Sequence, residues 1–254
     1  MNEIIQSLLA HRSIRSYSDR PVEENKLEQI ISAVQAAPNW VNLQLVSIIA
    51  VKNPERRQLL SRLCGVQAYI AQAPVFLVFC ADYYRIHLAC QKVNQSMENI
   101  LKDIDTVIVG AHEAGIAIAT AVIAAEALGL GTVVIGDIRK NPKEVIEELN
   151  LPPFVMPMLG LCIGYPAHDP GIKPRLPREA VYFEERYRHD LGRFLDEYDQ
   201  TYATYLKERP SNDRTGNWTT LAGDFYRKPF HYKEVANALR QQKFFAGTKE
   251  CETV

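Results

Sequence analysis

Residues 73–82 read APVFLVFCAD, and this run decides the fold. Between Pro74 and Asp82 every side chain is apolar, so the segment has no face to offer water and reads as a strand covered on both sides. Working outward, VSIIAV at 46–51, GTVVIGDIR at 131–139 (strand, then turn) and VMPMLGLCIGYP at 155–166 are further strands, the last also buried. Helical patterns fall between them. In PVEENKLEQIISAVQAAP, 21–38, Leu27, Ile30, Ile31 and Val34 recur at helical spacing, Glu23 and Glu24 sit where the helix dipole favours acids, and Pro38 ends the run. NPERRQLLSRLCG (53–65) has proline near its start and glycine after its end. Residues 3–11, 104–128 and 141–150 complete the set, with Ile4, Ile5, Leu8 and Leu9 on one face of the first. Helices alternating with apolar strands predict an α/β or α+β sheet sandwiched by helices.

The longest helical pattern carries Gly110, Ala111, Ala114, Ala117, Ala121, Ala124 and Ala125, a small-residue surface that the core or another subunit can approach closely. Beyond Pro166 the chain turns proline-rich and charged, and residues 182–254 are polar, aromatic and helical in pattern. Too few apolar residues remain there for a second core, so the chain is expected to divide into a core, 1–181, and an arm, 182–254, that packs on something else.

With 29 Lys+Arg against 30 Asp+Glu in 254 residues, the net charge of -1 supplies no global field for nucleic acid or an anionic membrane. Cys64, Cys80, Cys90, Cys162 and Cys251 are odd in number and widely spaced, as free thiols of a reducing compartment are. The N-terminus lacks the pattern of a secretory signal, and the apolar stretch 115–131 contains Glu126 and is shorter than the ~20 residues a span needs. A cytoplasmic protein is expected.

Chemistry concentrates in two basic segments. In HRSIR, 11–15, His11, Ser13 and Arg15 occupy alternate positions and project to one side of an extended chain, a set suited to a phosphate and a polar ring edge. In GIKPRLP, 171–177, Lys173 and Arg175 alternate again, held by Pro174 and Pro177. The two would form a phosphate pocket if they converge. Gly129 and Gly131 follow a helix and precede a strand, the reverse of a dinucleotide fingerprint, whereas Gly136 ends a strand and lets backbone N–H groups approach a ligand. His87, His168, His189 and His231 lack metal-ligand spacing, and no nucleophile motif occurs, so no metal is expected. A phosphate cradle without a reactive side chain points to a cofactor that carries the chemistry.

Five segments taken together, HRSIRSYSDRPV, QAYIAQAPVFLVFCAD, AAEALGLGTVVIGDIR, LGLCIGYPAHDPGIKPRLP and the charged C-terminal arm, resemble the FMN-dependent nitroreductase superfamily, in its branch of oxygen-insensitive NADPH nitroreductases and NADPH-flavin oxidoreductases. The resemblance implies an α+β fold with a mixed sheet flanked by helices, a homodimer with FMN at its interface, and an extended C-terminal helical arm that packs on the partner subunit and lines the NADPH and substrate site. It implies that His11, Ser13, Lys173 and Arg175 hold the FMN phosphate, with Arg12 in the same segment. Arg15 would approach the N1/O2 edge of the ring and Gln67 the ribityl or pyrimidine part. The backbone of Val134, Ile135, Gly136, Asp137 and Arg139 would pack near N5. Asn39 and Asn42 stand with Trp40 where the family often has Ser and Thr, and Asp137 stands where this branch commonly has glycine. Arg209, then Arg214, matches the arginine that recognises the NADPH 2′-phosphate. The implied activity is two-electron, ping-pong reduction of flat electron-poor acceptors such as nitroaromatics, quinones or free flavin. The alternatives are a flavin reductase feeding a partner enzyme, or a flavin store or redox sensor without turnover.

Overall fold

The computed structural model describes residues 2–209, 215–227 and 232–245; Arg214, His231 and Cys251 lie outside the described residues. Four strands, β1 (Val46–Val51), β2 (Val75–Asp82), β3 (Gly131–Ile135) and β4 (Val155–Gly164), form a sheet of order β1-β2-β4-β3. The helices are α1 (Glu3–Leu9), α2 (Glu24–Gln35), α3 (Pro54–Leu63), α4 (Ala68–Gln72), α5 (Tyr84–Lys92), α6 (Glu98–Leu101), α7 (Ile104–Ala127), α8 (Pro142–Glu148), α9 (Gly192–Glu208), α10 (Trp218–Arg227) and α11 (Val235–Gln241). All three strand pairings are antiparallel, and the parallel component of the sheet is the bridge of Ser13 to Thr132 beside β3.

β2 is buried at every residue, because its two faces meet two different cores. Phe76, Val78 and Cys80 pack with Leu60, Cys64, Ile70 and Val145 from α3, α4 and α8. The alternate residues Val75, Leu77 and Phe79 pack with Leu27, Ile30 and Val34 of α2 and with Ala117, Ala121 and Ala125 of α7. Burial of a Phe or Leu side chain stabilises by about 1.5–3 kcal/mol, so this strand anchors the sheet from both sides. The uninterrupted apolar run therefore arises in an antiparallel sheet, covered by helices as parallel sheets usually are. Gly160 of β4 admits the Phe76 ring, since a Cβ there would lie 2.5 Å from Phe76 Cζ.

α7 is long and apolar enough to cross a membrane. Here it is a core helix, with Val109, Ala114, Ala117, Ile118, Ala121 and Ala125 buried. Gly110 brings it against β2, where an added Cβ would stand 2.7 Å from that of Ala81.

Two compact units divide the chain. One holds residues 1–9, 13–168 and 232–254, the other residues 10–12 and 169–231. The helix α11 belongs to the first unit. It is held to the first unit by the Lys143–Glu234 ion pair at 3.1 Å, and Ala238 and Phe244 are buried there with Tyr83, Met97, Leu101 and Met156. The second unit has a small apolar cluster: Tyr198, Tyr202 and Leu206 of α9 with Leu176, Tyr205 and Trp218. Tyrosines build it, each burying a ring while leaving its hydroxyl to bond, as Tyr198 does to the Pro174 carbonyl at 2.9 Å.

Candidate functional site

The segment from Ser13 to Arg15 is extended and docked on β3. The Ile14 amide donates to the Thr132 carbonyl at 2.8 Å and the Ile14 side chain is buried, so Ser13 and Arg15 face away from the core. The Tyr17 hydroxyl donates to the Ile14 carbonyl at 2.7 Å, and burial raises its pKa far above the ordinary phenol range, which keeps it a donor. His11 and Arg12 belong to the second unit, as do Lys173 and Arg175. Arg12 Nε pairs with Asp169 Oδ1 at 2.8 Å and Nη1 donates to the Ala10 carbonyl at 2.9 Å, which ties the first basic segment to the start of the second. Pro174 is held inward by Tyr198, while Lys173 and Arg175 are exposed on either side of it.

Around the end of β3 a chain of polar contacts gathers Arg15, Gln67 and Asp137. The Arg15 charge acts on the Tyr69 hydroxyl, which donates to Gln67 Oε1 at 2.6 Å. Gln67 Nε2 donates to Asp137 Oδ2 at 2.7 Å, and the Tyr232 hydroxyl donates to Asp137 Oδ1 at 2.5 Å. Burial, and next the bond to Asp137, push the Tyr232 hydroxyl up to about 12. Beside this chain, Val134 is 44% exposed on an otherwise buried strand, and a Cβ at Gly136 would meet nothing nearer than Tyr232 Oη at 3.9 Å. An open backbone strip flanked by an outward arginine is what a flat, polar-edged ring system fits. The residues present therefore suit FMN. Ile135 is buried under the strip, and Arg139 is turned to the Met158 carbonyl at 2.6 Å and to the Tyr232 ring.

Asn39 and Asn42 do not join this group. They flank the turn that leads into β1, at the opposite edge of the sheet from β3. There Asn39 Oδ1 accepts from the Gln44 amide at 3.2 Å, and the Trp40 amide donates to the buried carboxylate of Glu113 on α7 at 2.7 Å. Val41 and Asn42 take left-handed backbone angles, φ 47° and 58°, a strained choice for a β-branched valine. In the second unit, Arg209 caps the end of α9 and lines a cleft of about 670 Å³ with Gly171, Ile172 and Pro174, so it lies beside the second basic loop. The described cysteines are free; burial pushes the thiols of Cys64 and Cys80 up to about 12, which leaves them unreactive. Among the described residues no cluster could hold a metal ion.

Residues 8–165 match the model of the nitroreductase family, and residues 173–246 match that of the nitroreductase family's C-terminal domain. The chain belongs to the nitroreductase family. This nitroreductase is 45% identical over 246 residues to the FMN reductase (NAD(P)H) of Bacillus subtilis, covering 96% of this chain and 98% of the relative. It is 39% identical over 221 residues to the oxygen-insensitive NADPH nitroreductase of Salmonella typhimurium, covering 86% and 89% of the two chains. The solved structure of the hypothetical oxidoreductase YcnD from Bacillus subtilis superposes with a TM-score of 0.93 at 46% identity, over 96% of this chain and 98% of that one.

Three polar residues of this nitroreductase were not singled out as ligands from sequence: Tyr69, Tyr232 and, as the anchor of the Trp40 turn, Glu113. Tyr69 lies two residues from Gln67 and carried a local signal. Tyr232 is 95 residues from Asp137, and nothing in the linear pattern joins them.

Proposed function

We propose that this nitroreductase is an FMN-dependent NAD(P)H oxidoreductase that reduces nitroaromatics, quinones or flavins. FMN, when bound, would supply two-electron hydride chemistry between NAD(P)H and an oxidised acceptor. The chain's own task is to bind, orient and polarise. Lys173 and Arg175 with His11, Ser13 and Arg12 would hold the phosphate, Arg12 through the nitrogen not engaged by Asp169 and Ala10. Arg15 would place positive charge at the N1/O2 edge, where reduction adds negative charge. Gln67 and the strip Val134, Ile135, Gly136, Asp137 and Arg139 would line the ring. Asn39 and Asn42, at the opposite edge of the sheet, would add contacts only to a flavin held by a partner copy, and Arg209, with Arg214, would select the NADPH 2′-phosphate. A homodimer completes the reading: Ile4, Ile5, Leu8 and Leu9 of α1 and Ile108, Ile116 and Ile123 of α7 are exposed apolar side chains that a partner copy would cover.

The observation that carries this reading is the outward-facing Arg15 beside the open strip at the end of β3. Purified protein should be yellow and bleach on addition of NADPH, and Lys173→Ala with Arg175→Ala should be isolated colourless. A colourless wild-type chain that takes up no added FMN would sink the proposal. The similarity to an FMN reductase over nearly the full chain favours free flavin as an acceptor. Turnover with free FMN set against turnover with a nitroaromatic decides between supplying reduced flavin and reducing nitro compounds.

A further inference from the structure

The half-buried carboxylate of Asp137 is gripped from two sides, by Gln67 Nε2 at 2.7 Å and by the Tyr232 hydroxyl at 2.5 Å. A carboxylate only accepts, so Gln67 must turn its nitrogen to Asp137 and its oxygen to Tyr69. Tyr69 then spends its proton on Gln67 Oε1, and the Arg15 charge acts on the same hydroxyl. Both bonds from Tyr69 through Gln67 to Asp137 thus point one way, toward the anion, and Tyr232 closes the far end. Such a chain polarises each of its members. The space for it is built in: at Gly65, with φ +80°, a Cβ would lie 3.0 Å from both Asp137 Oδ2 and Lys140 Nζ. Lys140 and Arg139 are the cations near the carboxylate, the second over the Tyr232 ring at 5.5 Å.

We propose that Asp137 is a positioning residue that fixes the orientation of Gln67 and, through its charge, sets the reduction potential of the bound flavin, with Tyr232 as the brake on that charge. The proposal rests on FMN lying along the strip at residues 134–139 with Arg15 at its pyrimidine edge. Reduction adds negative charge to the ring, so a carboxylate nearby opposes it and a proton donor to that carboxylate relieves the opposition. Removing the charge and removing its donor therefore act in opposite directions, whereas plain structural damage would move both variants the same way.

The test is a dye-coupled reductive titration of the full-length FMN-loaded protein, with FMN affinity read from quenching of flavin fluorescence. Asp137→Asn should raise the two-electron midpoint potential by about a tenfold change in the reduction equilibrium, ~30 mV for a two-electron couple. Tyr232→Phe should lower it by a smaller amount, and the double variant should match Asp137→Asn, because the brake has nothing left to act on. Asp137→Asn should also loosen FMN several-fold by freeing Gln67 to flip. Shifts of the same sign, or potentials unmoved in variants that bind FMN normally, overturn the proposal alone. A wild-type chain that binds no FMN overturns the underlying reading and the proposal with it.

Discussion

At position 137 an aspartate stands where the family resemblance implies glycine, and its side chain is not left in solvent but bound by Gln67 and Tyr232. The departure itself was visible in the sequence; its partners were not, because one of them arrives from the far end of the chain. Glu23 makes the same point on the surface. Read as a helix-start acid, it also accepts from the Tyr165 hydroxyl at 2.7 Å and from Arg20 at 2.6 Å. Those bonds, the tyrosine's first, lower its pKa from the ordinary 4.5 to about 2. A depressed carboxyl contributes stability that is complete above its unfolded pKa and is lost as pH falls through the folded one. The melting-temperature gap between wild type and Glu23→Gln should accordingly be constant above about pH 5 and close between pH 4.5 and 2. A gap that widens on acidification contradicts the assignment.

Elements were the most legible scale. The four strands and the helices at 24–35, 54–63, 104–127 and 142–148 stand where periodicity and capping residues put them, since each is decided by neighbours within a few residues. α4, α5 and α6 carry short or weakly patterned apolar faces and went unseen. Strand order was equally hidden, because pairing joins residues far apart in the chain. Its cost is local and measurable at Gly160. An added methyl would meet Phe76 Cζ at 2.5 Å and Cε2 at 2.7 Å on the neighbouring strand, and Phe76 is fully buried. Gly160→Ala should cost about 1–3 kcal/mol in denaturant unfolding, as overpacking does. Adding Phe76→Leu should recover part of the loss, so that the pair is less damaging than the sum. Strict additivity would show that the two side chains do not compete for the same space.

At the scale of the whole molecule, the C-terminal residues departed most from what composition suggested. Residues 182–254 looked like one arm without a core, yet α9 brings its own tyrosine cluster, and the segment after residue 232 buries Ala238 and Phe244 beneath the first unit's helices. Tyrosine counts as polar in a pattern but buries like an apolar residue, and a single phenylalanine can anchor a segment that is otherwise charged. The exposed isoleucines of α1 and α7 offer apolar surface for the proposed dimer to cover. Ile116 and Ile123 are 39% and 37% exposed on α7. Converting both to lysine should shift the protein from dimer to monomer in light scattering coupled to gel filtration, and should weaken FMN retention in parallel. An unchanged dimer would place the interface elsewhere.

By itself the sequence determined the four strands and the helices at 24–35, 54–63, 104–127 and 142–148, and that β2 must be covered on both faces; all of these depend on residues within a few positions of one another. Only the tertiary structure decided the order of the strands, the return of residues 232–245 to the first unit, and the bonding of Asp137 to Gln67 and Tyr232. Those depend on which distant residues close packing brings within hydrogen-bond reach, and a period of two or of 3.6 carries no record of that.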